Sequence, residues 1–166
     1  MKTLKSRWNL CRVLAIFAVT IISFSARVDF AQAASWNGIE PLKSRREDVL
    51  KILGKPSTED ANGALEFSVA GGTALIVFVD QKFVTNKKLH ADLEGTVLEI
   101  VLQHDHSTDT PESLKLLKNH DFVSDDIKSA RIFRNLKDGI VYTFIDGRLH
   151  TTRMTFSEND LGRARR

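Results

Sequence analysis

The run His104-Asp105-His106 holds the residues of this chain best suited to chemistry. On a strand, alternate side chains share one face. Both imidazoles would then meet one metal ion, with Asp109 or His120 as a third ligand. Zinc is the metal such a set suits, and a catalytic zinc keeps three protein ligands and an open position. A metal-dependent envelope hydrolase, or a metal-binding protein, using His104, His106 and His120 is therefore the alternative functional reading. Against it, the surrounding HDHSTDTP is rich in turn-forming and helix-capping residues, and no HExxH or CxxC accompanies it. A polar strand end running into a loop explains the same letters.

The remaining polar groups give weaker signals. Asp138 and Asp146 each precede glycine, where aspartate serves a tight turn. Asp125-Asp126 reads as the start of a short helical turn over 124–129. Ser68 has no GxSxG context and no evident activating base. Gly71-Gly72 lacks the Lys-Ser/Thr of a phosphate loop. Ser44-Arg45-Arg46, at a helix start, could attract an anion, but a capped helix with a solvated first turn accounts for it. No catalytic residue is assigned.

The aromatic residues mostly alternate within strand-like runs and are expected in the core. Trp36 stands apart, ahead of Pro41, where it either staples the entry segment to the sheet or anchors a partner. Trp36, with Lys87 and Lys88 in a polar loop expected over Gln81–Gly95, is the predicted contact surface.

The first 33 residues read as an address. Lys2, Lys5, Arg7 and Arg12 precede the apolar run Val13–Phe24, and Ala31-Gln32-Ala33 has the small-x-small pattern of a cleavage site. The run is about half the ~20 apolar residues a membrane span needs. This predicts export, to the periplasm or outside medium, with no stable span left after cleavage. The chain has 24 basic and 21 acidic residues. Five of those bases and one acid lie in the leader, so residues 34–166 carry 19 against 20, a net −1. That balance gives no argument for nucleic acid. Cys11, the only cysteine, precedes the apolar run, so the mature part has no disulfide, thiol nucleophile or lipid-attachment cysteine.

These residues must be positioned by one domain, expected over 34–156. Ser44 and Glu47 have capping-box spacing. Val49, Leu50, Ile52 and Leu53 supply an apolar face, and Gly54 with Pro56 ends the helix. Strands are expected at Leu65–Val69, Thr73–Asp80, Thr96–His104, Ala130–Asn135, Ile140–Ile145 and Arg148–Phe156. Asp138-Gly139 and Asp146-Gly147 are strong hairpin signals. A second helix is expected from Thr110-Pro111, with Leu114, Leu116 and Leu117 inward. The basic tail, 157–166, is expected to fray. The pattern predicts an α+β domain: an antiparallel sheet of about five to six strands covered by two helices.

The stretch WNGIEPLKSRREDVLKILGKPS resembles the mature start W-x-G-I-x-P-L-x-S-x-R-x-D-V-x-x-x-L-G-x-P of a family of small exported bacterial proteins. DGIVYTFIDGRLHTTRMTFSEND resembles the ending of the same proteins. Those endings often finish in cysteine, whereas this one finishes LGRARR. The helix pattern S-x-x-x-V-x-x-x-L-G-x-P is more distantly similar to the outer-membrane assembly lipoproteins of the BamE/SmpA type and to β-lactamase-inhibitor-like domains. Those are non-enzymatic binding modules. The resemblance implies an exported, non-catalytic domain without a cofactor, binding another protein or an envelope component.

Overall fold

The computed structural model describes residues Ala34–Arg165. The expected leader and its cleavage site lie outside the described residues. Among the described residues, no helix is long and apolar enough to cross a membrane.

The entry segment turns at Asn37-Gly38, both at positive φ, and Trp36 bridges Ile39. Ile39 is fully buried and Trp36 packs half-buried against the same core. Helix α1 (Arg46–Leu53) follows. Its start is one residue later than the Ser44 spacing predicts. The Ser44 hydroxyl accepts the Glu40 N–H at 2.9 Å, closing the preceding turn, and the Asp48 carboxylate accepts the Arg45 N–H at 2.8 Å. Val49 and Leu53, four apart, face the core, while Leu50 and Ile52 point outward.

Eight strands form one antiparallel sheet. They are β1 (Thr58–Glu59), β2 (Leu65–Val69), β3 (Gly72–Phe78), β4 (Val97–His104), β5 (Val123–Ile127), β6 (Ala130–Asn135), β7 (Ile140–Ile145) and β8 (Arg148–Thr155). The order β1-β2-β3-β4-β8-β7-β6-β5 joins two meanders along β4 and β8. Register puts Leu65, Ile76, Ile100, Met154 and Ile140 opposite one another in turn. This row crosses five strands and forms the main core under Val49 of α1. A second cluster holds Leu116, Phe133, Phe144 and Leu149, with Phe133 and Phe144 edge to face at 5.7 Å. A third joins α2 (Gln81–Lys87) and α3 (Glu158–Ala164) through Val84, Leu89, Phe83, Phe156 and Ala164.

Two glycines are required by close approach. A Cβ on Gly72 would lie 1.8 Å from the Gln103 carbonyl oxygen, and one on Gly139 would lie 2.2 Å from that of Thr155. Only glycine lets these backbones meet.

The expectation of five to six strands covered by two helices is corrected to eight strands and three short α-helices among the described residues. The added strands are β1, two residues long, and β5. The latter is polar because it is an edge strand, and its Asp126 and Asp125 pair with Arg131 and Arg134 of β6. No α-helix forms after Thr110-Pro111. That stretch is a turn followed by a single 3-10 turn at Leu116–Lys118, entered through Lys115 in the left-handed region. The loop expected over 81–95 contains α2, capped by the Asp80 carboxylate accepting the Phe83 N–H at 2.6 Å. The tail does not fray but folds as α3. Ser157 caps it, Ala164 is buried against α2's cluster, and the Ala164 carbonyl accepts the His90 N–H at 3.0 Å.

Candidate functional site

Because β4 and β8 are antiparallel neighbours, the end of one lies beside the start of the other. Gln103 faces Thr151 across the ladder. There His104, Asp105 and His106 meet Arg148 and His150 around an open cavity of about 500 Å³, with Ile145 and Leu149 as its apolar wall. The loop between is pinned at both ends. The Asp105 N–H donates to the Gly71 carbonyl at 3.0 Å, and the Leu149 N–H donates to the Asp109 carbonyl at 2.9 Å. Within it, the Ser107 hydroxyl accepts the Asp109 N–H at 3.1 Å and lies 3.3 Å from the Asp109 carboxylate. These bonds fix the backbone of the loop before anything binds.

His104 is half-buried, and its Nε2 lies 2.9 Å from the Thr152 hydroxyl. Burial lowers the His104 pKa from the ordinary imidazole value. The Asp109 carboxylate opposes that shift and His150 adds to it. His104 therefore stays neutral at neutral pH. Thr152 is 8% exposed and sits within the ladder, between Leu102 and Tyr142. Burial raises the phenol of Tyr142 above its usual pKa.

The predicted metal set is only partly brought together. His104 and His106 share the cavity, although the strand ends at His104, so His106 is not placed by strand alternation. His120 lines a separate hollow of about 820 Å³ with Lys115, Leu117 and Lys118. Among the described residues no three His, Cys, Asp or Glu side chains are grouped closely enough to hold a metal ion. His150, like Arg148, is a residue that sequence reading missed. It follows the Asp146-Gly147 turn, and only the β4–β8 pairing brings it beside His104.

The predicted contact residues lie elsewhere. Trp36 staples the entry segment to the main core. Lys87 ends α2, and Lys88 caps it in the left-handed region, both exposed. None of the three lines the cavity.

Other candidate groups are occupied structurally. Arg45 donates to the Asp92 and Glu94 carbonyls at 2.5 and 3.1 Å. Arg46 donates to the Gly63 carbonyl at 3.0 Å and pairs with Glu59 at 2.7 Å. The helix start thus uses its cations to tie loops down. Ser68 meets Ser57 at 3.0 Å, and Asp138 accepts from Asn135 at 2.7 Å.

The cavity therefore offers one permanent cation, several imidazoles and one carboxylate on a fixed frame. It can bind and orient a polar group. No family model, curated protein or solved structure matches the chain.

Proposed function

We propose that this is an exported, non-catalytic domain that binds another protein or an envelope component, and that the cavity where β4 and β8 meet is its recognition site. The leader-like first 33 residues support the export part of the reading. The position of the Thr152 hydroxyl supports the non-catalytic part, and the exposed polar side chains around the cavity support the binding part. A hydroxyl nucleophile must stand beside its base and also reach the substrate. The hydroxyl bonded to His104 is buried in the ladder and does not line the cavity. That bond orients a ring. Arg148, His106 and His150, all exposed, are left to make contacts outward.

Cross-linked capture from cell envelopes with the tagged full chain tests this. Arg148→Glu is expected to abolish recovery of the partner that the wild type brings down, while Thr152→Val keeps it. Equal recovery with Arg148→Glu would remove the cavity as the contact site. Stoichiometric zinc in the purified protein, lost in a His104/His106 double alanine variant, would favour the metal reading instead.

A further inference from the structure

We infer that the cavity at the β4/β8 junction takes the phosphate group of an organic ligand, with Arg148, His106 and His150 as its donors. The inference rests on the cavity being the recognition site, and it names the chemistry recognised there. The donors come from two separate segments, the loop after β4 and the start of β8. The β4–β8 pairing and the Leu149 N–H bond to the Asp109 carbonyl bring these two segments to one cavity. A guanidinium presents a planar fork of N–H groups that matches two oxygens of an oxyanion. Each imidazole adds a donor, charged or neutral. One guanidinium and two imidazoles offer more donors than the two oxygens of a carboxylate need, and they match the larger acceptor set of a phosphate. Ile145, 37% exposed, lines the same cavity and gives an organic portion an apolar contact.

Asp105 makes the inference specific. Asp105 lines the same cavity, and its negative charge repels an anion bound there. Neutralising it must therefore tighten phosphate binding, whereas a carboxylate that merely held the loop would loosen it. His104 takes no direct part, because its Nε2 is engaged with Thr152 and its burial keeps the ring uncharged.

The test is titration of the full chain with inorganic phosphate at one fixed pH and ionic strength, followed by amide chemical shifts. Saturable shifts at residues 104–109 and 145–150 are expected. Arg148→Gln and His150→Gln should each weaken binding, the first roughly tenfold, as loss of a charge-assisted hydrogen bond does. Asp105→Asn should tighten it about two- to threefold by removing a like charge. His120→Gln, in the other hollow, should leave it unchanged. Absence of saturable binding, or equal binding by wild type and Arg148→Gln, would overturn the inference. Weaker binding by a folded Asp105→Asn would do the same. A second arm uses phosphatidylglycerol vesicles against phosphatidylcholine vesicles. Arg148-dependent binding to the first alone identifies a lipid headgroup as the source, and phosphate binding without vesicle binding identifies a soluble phosphate. An envelope partner captured through the cavity by a protein that ignores phosphate would leave the binding function standing and sink this inference alone.

Discussion

Replacing Thr152 by valine isolates the bond that orients the His104 ring. Valine keeps the β-branched shape and the strand preference of threonine, so the ladder around Leu102 and Tyr142 is preserved. What is lost is one hydrogen bond, 2.9 Å long, to the Nε2 of His104. A neutral hydrogen bond contributes about 0.5–1.5 kcal/mol, and a fully buried orphan costs about 1–3 kcal/mol. His104 is half-buried and borders an open cavity, so water can replace part of the lost partner. The expected loss is therefore about 1 kcal/mol, near the lower end of the orphan range. With a urea slope of about 2 kcal/mol/M, the midpoint should fall by roughly 0.5 M with the slope unchanged. A His104→Gln/Thr152→Val double-mutant cycle apportions the effect, with a coupling of about 0.5–1 kcal/mol expected. An unchanged midpoint with zero coupling would mean that the two side chains do not meet, and the orienting role of Thr152 would fall. Partner capture abolished by this substitution, in protein that remains folded, would refute the argument that the hydroxyl takes no part in function.

Three further outcomes follow from the geometry. Because burial holds the His104 pKa below its unfolded value of about 6.5, the unfolded state binds the proton first. The associated stability is present above that value and is lost as pH falls toward the folded pKa. Urea midpoints measured from pH 7.5 downward should drop less in His104→Gln than in wild type, and parallel profiles would contradict the assignment. Gly72→Ala should cost at least about 2–3 kcal/mol, since its Cβ would meet the Gln103 carbonyl at 1.8 Å. Gly54→Ala, whose Cβ meets nothing within 4 Å but whose φ is +79°, should cost about 1–2 kcal/mol; equal losses in thermal melts would refute the close approach. Ser157→Ala removes the acceptor of the Asp160 N–H, a bond of 3.1 Å, and should cost about 1–2 kcal/mol and speed amide exchange through Glu158–Ala164. Unchanged exchange there would show that the cap does not hold α3.

Alternation and turn chemistry made much of the sheet readable. The six strands with apolar alternation, the Gly71-Gly72 hairpin and the Asp146-Gly147 turn stand near where the residues place them. β5 was illegible because an edge strand need not be apolar. Ser124, Asp125 and Asp126 look like a helix start until Arg131 and Arg134 are seen across the ladder. The helices α2 and α3 were missed for a related reason. Each is short and polar along most of its length, and each buries few side chains, in a cluster built mostly by residues of other segments such as Leu42, Val79 and Leu89. Their caps, Asp80 and Ser157, were in the sequence, but a cap does not reveal what a helix will pack on. The Thr110-Pro111 start shows the converse, since a good first-turn signal did not continue into a helix. For the site, His104 and His106 were visible as letters. His150 and Arg148 were not, because their place beside β4 depends on β8 inserting between β4 and β7.

The β4/β8 cavity is the proposed meeting place of the protein and its partner. Site-specific photo-cross-linking in living cells tests it directly, with the cross-linking residue placed at Ile145 on the cavity wall or at Lys88 at the end of α2. A discrete adduct from position 145, lost with Arg148→Glu, and none from position 88 is the predicted result. Adducts from position 88 alone would move the contact surface to α2 and contradict the account.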